Sequence, residues 1–173
     1  MKSKQELRSN LRFVVGCKIE EFMAYYKEAR GTLNDTEKYI ISQDPKHLIV
    51  WKDNGRILGH AIWHESNLEE HRKGVPREEK DKEFLQKLLG GRKEFAELHE
   101  LWLKPEHRGK GFGKKFFDFF EGFISNRGFE AIIYYTNDPA ALAICRRRGY
   151  KEAYGLEEEG EVYYVLCLLL KNE

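Results

Sequence analysis

The stretch from Phe95 to Tyr135 constrains the fold most. Phe95 to Leu103 alternates as a strand does, Pro105 breaks it, and Arg108-Gly109-Lys110-Gly111-Phe112-Gly113 follows. Lys114 to Asn126 then carries Phe116, Phe117, Phe119, Phe120 and Phe123, an apolar helix that stops near Gly128, before the buried-type strand Ala131 to Tyr135. Strand, loop, helix, strand is a βαβ unit, so its two strands are expected to be parallel with a right-handed crossover.

The flanks supply the rest of the sheet. Leu11 to Val15 suits a strand, and Ile19, Phe22, Met23 and Tyr26 mark a helix over Ile19 to Ala29. Asn34 and Glu37 form an N-cap and capping-box pair for a helix that runs to about Gln43 and stops before Pro45. His47 to Lys52 and Arg56 to Glu65 flank Asp53-Asn54-Gly55, a hairpin signal. From Ser66 to Lys93 the chain turns charged, with one amphipathic helix expected from Pro76 through Phe84, Leu85, Leu88 and Leu89 to a Gly90-Gly91 stop. Asp138 to Arg148 reads as a helix closed by Gly149, followed by a weak strand near Glu152 to Tyr154 and a strong one over Val162 to Leu170. The sum is about seven strands and four or five helices, expected to form a single domain over 1–173 with an insertion at about 66–93.

Composition narrows the function. The 30 Lys and Arg against 29 Asp and Glu leave a net charge of +1, which lacks the broad positive field of a nucleic-acid binder. Val162 to Leu170, the longest mainly apolar stretch, is far short of the roughly 20 residues of a membrane helix, and Met1 to Arg12 leads into no signal-peptide pattern. No membrane partner and a cytoplasmic location are expected. Cys17, Cys145 and Cys167 are too few and too scattered for a disulfide framework or a structural zinc site. His60-Ala61-Ile62-Trp63-His64 spaces two histidines four apart, but on a strand and without the Glu a zinc protease needs, so no metal is expected and the pair reads as cleft or surface residues.

The glycine loop lies where backbone N–H groups and the positive end of a helix dipole converge on an anion. Its alternate glycines let a phosphate approach the backbone, and Arg108, Lys110, Lys114 and Lys115 add charge. The P-loop pattern fails at Arg108 and Lys115. The dinucleotide fingerprint fails because Lys114 or Phe116 stands where its third glycine belongs.

Arg108-x-x-Gly111-x-Gly113 after Leu101-Trp102-Leu103-Lys104-Pro105 resembles the acetyl-coenzyme A loop of the GNAT-type N-acetyltransferases. Asp138-x-x-Ala141-x-x-Ile144-Cys145-x-x-x-Gly149-Tyr150 is similar to that family's second motif, so the resemblance spans Glu97 to Tyr150. It implies an α/β (α+β) fold: a mixed, mostly antiparallel sheet of six to seven strands, with helices on both faces and a parallel, splayed fourth and fifth pair. The pantetheine arm would lie in the splay against the backbone of Leu101, Trp102 and Leu103. The diphosphate would rest on Arg108, Gly109, Lys110, Gly111, Phe112, Gly113 and Lys114, with Asp138 and Ala141 of the second motif also on the coenzyme.

Acetyl transfer from a thioester to an amine needs a base for the amine and a proton for the thiolate. The resemblance points to His99 as the base, since the family often carries a Glu or His there, and an imidazole titrates near neutrality. Glu100, on the opposite strand face, is the alternative. Asp138 stands where the family usually has Asn, and Cys145 where a Tyr usually protonates the thiolate. Cys145 either donates that proton or packs as a small apolar residue, leaving the role to solvent, Tyr134, Tyr135 or Tyr150. Arg146 to Arg148 could grip phosphate or simply suit a helix C-terminus, and Glu157 to Glu159 either favour a cationic amine or form a solvated loop.

The expected activity is an acetyl-CoA-dependent N-acetyltransferase (an acyltransferase) acting by direct transfer on a small-molecule or protein amine, with a homodimer left open. A non-catalytic coenzyme A-binding sensor or scaffold is the alternative. An RNA-associated protein using Lys110, Lys114, Lys115 and the arginine run is a weaker third.

Overall fold

The computed structural model describes residues 11–71, 73–74, 77–158 and 160–170. Its strands are β1 (Leu11–Val15), β2 (Leu48–Asp53), β3 (Arg56–Asn67), β4 (Glu94–Leu103), β5 (Ala131–Thr136), β6 (Lys151–Glu158) and β7 (Glu161–Leu169). Its helices are α1 (Ile19–Ala29), α2 (Asp35–Gln43), α3 (Glu78–Leu89), α4 (Phe112–Asn126) and α5 (Pro139–Arg147), with 3-10 turns at Pro45–His47 and Pro105–His107. The strands form one sheet in the order β1-β2-β3-β4-β5-β7-β6, a mixed α/β architecture in which β4 and β5 are parallel, as the βαβ reading requires.

The chain divides into two compact units, 1–64 with 99–116 and 65–98 with 117–173, so β3, β4 and α4 each contribute to both. In the first unit β1 and β2 are antiparallel, and β2 returns into β3 through Asn54 (φ 50°) and Gly55 (φ 78°), the positive angles a tight hairpin needs. Asn34 Oδ1 accepts the Glu37 N–H at 2.8 Å, the predicted cap of α2. The core buries Phe22, Tyr25, Tyr26, Leu33, Ile40, Leu48, Val50 and Ile62, with Trp102 packed against it. Gly59 lies so close to β4 that a Cβ there would fall 2.6 Å from the Trp102 carbonyl oxygen, and the Lys104 N–H donates to Leu58 O at 2.9 Å.

In the second unit β5 pairs antiparallel with β7, and β7 with β6. The parallel ladder joins Ala96, Glu97 and Leu98 to Ile132, Ile133 and Tyr134; β4 then goes on to Leu103 with no further β5 partner. α3 buries Leu85 and Leu89 against Phe95, Ala131, Ile133 and Val165, and ends at Gly90 in the left-handed region (φ 58°), the predicted stop. The expected start at Pro76 lies outside the described residues.

Two boundaries differ most from the sequence expectation. α4 begins at Phe112 rather than Lys114, because the Phe112 ring packs on Trp51, with centroids 4.7 Å apart, and draws the loop's end into the first turn. β6 spans Lys151–Glu158 rather than a short piece near Glu152 to Tyr154, since the whole length of β7 is available for pairing. Glu157 and Glu158 accordingly belong to a strand rather than a loop; Glu159 lies outside the described residues. Among the described residues no helix is long and apolar enough to cross a membrane.

Candidate active site

At the end of β4 the chain has nowhere to spend its amides. His107 and Arg108 donate to Lys104 O and Pro105 O, closing the 3-10 turn. Gly109 (φ 74°) and Gly111 (φ 80°) then take the left-handed backbone that a side chain would resist. The Lys115 N–H bonds Gly111 O at 3.3 Å, but among the described residues no protein acceptor meets the amides from Gly109 to Lys114. These N–H groups stand at the positive end of a 15-residue helix. Gly113 is in the first helical turn with ordinary φ, so it contributes bareness rather than an unusual angle.

Arg108 braces this loop from below. Its Nε donates to Leu103 O at 2.9 Å, and its guanidinium lies 5.4 Å from the Trp102 ring centre. Lys110, Lys114 and Lys115 are exposed at the rim. Such an array fits a diphosphate: donors without acceptors, a helix dipole and mobile cations, with no carboxylate among the loop's residues to repel an anion.

Glu100 anchors the second feature. Its Oε2 accepts from His60 Nε2 at 2.9 Å and from the Tyr26 hydroxyl at 3.5 Å, while Oε1 faces Arg30 Nε at 2.8 Å. A carboxylate can only accept, so His60 carries its proton on Nε2 and its Nδ1 accepts from the Tyr25 hydroxyl at 2.9 Å. His60 is fully buried, which corrects the expectation of a cleft or surface residue. Burial pulls its pKa down against the pull of Glu100, keeping the ring neutral. Burial pushes the Glu100 carboxyl up, but the His60 bond and the nearby Arg30 charge outweigh it, so it lies below the ordinary carboxylate value. Glu37 has the opposite fate: burial and the Glu100 charge push it up to about 7, and its Oε2 is buried with no hydrogen-bond partner.

His99 points to the other face of β4, as strand alternation requires, and its Nε2 lies 2.7 Å from His64 Nδ1. The two imidazoles share one proton between facing nitrogens.

In the second unit Asp138 caps α5, its Oδ1 accepting the Ala140 N–H at 3.2 Å, and Ala141 is buried one turn on. Cys145 is fully buried, and burial together with the Glu121 charge pushes its thiol up to about 12. Arg148 is spent on Glu121 and Asp118 at 2.6–2.8 Å, and Arg146 on Glu152, so the arginine run serves the fold at these positions. Tyr150 donates to Glu121. Tyr135, the first β5 residue beyond the parallel ladder, shares a 2.5 Å hydrogen bond with the buried His71, whose other nitrogen lies 3.6 Å from Glu97.

Sequence reasoning did not single out Tyr25, Arg30 or His71 for the site. Tyr26 reads as helix core, and His60 as one of a histidine pair. The signal that would have found them is the polar tip each presents on an otherwise apolar face.

A search of curated protein sequences finds no match. Among solved structures, the chain resembles an apo agmatine N-acetyltransferase at 13% identity over 93% of this chain and 100% of that one, with a TM-score of 0.69. A polyamine N-acetyltransferase of Drosophila melanogaster that forms N-acetylagmatine is 13% identical over 92% and 100%, TM-score 0.68. A chain of the NatC complex, solved with Gag peptide and CoA, is 17% identical over 94% and 99%, TM-score 0.68. At these identities the likenesses establish the fold. The model of the acetyltransferase (GNAT) family matches residues 17–150, a span that takes in the α1 tyrosines, the glycine loop and the second motif, and the chain belongs to that family.

Proposed function

We propose that the protein is an N-acetyltransferase that moves acetyl from acetyl-CoA to a primary amine by direct transfer. The run of amides from Gly109 to Lys114, which meet no acceptor among the described residues, carries this reading. In it, these amides with Arg108, Lys110 and Lys114 hold the coenzyme's diphosphate, and the β4 backbone over Leu101 to Leu103, beyond the ladder with β5, bonds the amide-bearing arm as an added strand would. Bound acetyl-CoA supplies the activated acetyl thioester.

The chain's own groups manage the protons. His99 takes the amine's proton and passes it along its bond to His64, a role that suits imidazoles at neutral pH. Glu100, held ionised by His60 and Arg30, supplies a fixed negative charge that attracts a cationic acceptor and is the alternative base. Buried Cys145, with its raised pKa, is a poor donor to a thiolate, and Tyr150 is tied to Glu121. Half-buried Tyr135 is hydrogen-bonded to His71, so it is a phenol that can yield a proton and regain it through that bond. The agmatine and polyamine acetyltransferases among the similar structures, together with the carboxylates on the α1 and β4 side, support a small cationic acceptor.

Isothermal titration with acetyl-CoA tests the assignment: micromolar binding, lost in a Gly111→Val variant, is expected, and no binding at millimolar ligand overturns it. A coenzyme-binding module without transfer is the second reading, favoured by the burial of Cys145. Thiol release with a panel of amines separates the two.

A further inference from the structure

Outside the glycine loop, the first unit holds a cation site that the chain itself already fills. The Arg30 guanidinium lies 5.2 Å from the centre of the Trp102 ring, with its Nε 2.8 Å from Glu100 Oε1. An aromatic face beside a carboxylate is the standard way to hold a planar cation. We propose that Trp102, Glu100, Tyr26 and Glu37 form a binding site for the guanidinium group of a ligand, in which Arg30 is a tethered placeholder that the ligand displaces.

Four observations carry this. First, the walls are fixed without Arg30: Glu100 is oriented by fully buried His60, itself held by Tyr25, and Trp102 packs on the core. Second, the occupant sits at the open edge of the site. Arg30 is the residue after the last turn of α1, followed by Gly31 at φ 95°, and its side chain is 37% exposed. Third, the site has more acceptors than Arg30 uses, since Glu37 Oε2 is buried with no partner. Its carboxyl feels both the Glu100 and the Arg30 charge, and burial with Glu100 pushes it up to about 7. Fourth, a cavity of about 190 Å³ opens on Trp102 and on the residues just before Arg30, lined by Glu28, Ala29, Lys104, Pro105 and Glu106, which leaves room for the body of a ligand whose head sits on the ring.

The ligand's cation is a guanidinium rather than a compact ammonium, because the flat ion now on the ring is one and its planar fork carries donors beyond the one that Glu100 takes. That this ligand is also the acetyl acceptor rests on the function proposed above; that the site binds guanidinium does not.

The test is calorimetric titration of the folded protein with ethylguanidinium, in the absence of coenzyme. Removing the placeholder should strengthen binding, because apparent affinity scales with the fraction of molecules whose site is open. Arg30→Met, which keeps the stem, is expected to bind at least tenfold more tightly than the wild type; Arg30→Gln serves as the second variant should Met perturb folding. Arg30→Lys retains a cation and is expected to bind no better than the wild type, and adding Glu100→Gln to Arg30→Met should abolish binding. Equal affinity in wild type and Arg30→Met, tight binding by Arg30→Lys, or no binding to Arg30→Met at 50-fold molar excess over the millimolar range overturns the proposal. Acetyl-CoA titrated separately into the same variants reports on the coenzyme reading alone, so the two failures are distinguishable.

Discussion

Replacing Glu100 by Gln removes one charge while keeping the shape, and the structure sets how much that should cost. Oε2 serves His60 and Tyr26, and Oε1 serves Arg30. A glutamine has one oxygen, so if it stays with His60, its NH2 is turned on the Arg30 guanidinium, donor against donor. A hydrogen bond from buried His60 to a charged acceptor is worth about 1.5–3 kcal/mol, whereas the Arg30 pair, exposed on one side, adds roughly 0.5 kcal/mol. A loss of about 2 kcal/mol is therefore expected, a fall in Tm of roughly 4–8 °C for a chain of this size. Urea denaturation followed by circular dichroism at pH 7 measures it. The sign with pH is fixed by the lowered folded-state value of Glu100: its stabilising contribution is complete above the unfolded value of 4.5 and is lost as pH falls through the lower folded value. The gap between wild type and Glu100→Gln should persist undiminished at pH 5.5 and narrow only below 4.5. A gap that has vanished by pH 5.5, or never exceeds 0.5 kcal/mol at pH 7, refutes the reasoning.

Three other outcomes follow from neighbouring features. Glu37, raised to about 7 from 4.5, destabilises the fold increasingly as pH rises through that window, so Glu37→Gln should stabilise by about 1 kcal/mol at pH 8 and by nothing at pH 4, read by urea midpoints. Gly111→Ala places a Cβ at φ 80° and should cost roughly 1 kcal/mol in stability while weakening acetyl-CoA more than tenfold by titration; unchanged affinity would detach the loop from the coenzyme. Burial raises Cys145 to about 12 and Cys167 to about 11, and burial with Glu21 raises Cys17 to about 11, so the native protein at pH 8 should leave all three thiols unmodified by iodoacetamide over minutes, and the unfolded protein should react at each.

The elements that sequence reveals best are those whose signals are local. The Asn34 cap, the Asn54-Gly55 turn, the Gly90 stop and the βαβ unit each depend on a few adjacent residues, and each is found where the pattern puts it. The glycine loop is legible for the same reason. What the sequence conceals is pairing across distance: nothing adjacent to Glu100 shows that His60, forty residues away, holds it. Nor does the sequence show that Arg30 covers Trp102, or that a helix expected to start at Lys114 gains its first turn because Phe112 finds Trp51. Strand alternation placed His99 and Glu100 on opposite faces, but only the fold supplies their different partners.

Gly59 ties a distant position to the loop. Because β3 passes the Trp102 carbonyl with no room for even a methyl group, any side chain at 59 would lever β4 outward just where it hands over to Lys104 and the turn before the glycine loop. Damage there would surface as a loosened Arg108 brace on Leu103 and a slack glycine loop. Position 59 thus acts as a spacer gauge for the end of β4 that leads into the glycine loop.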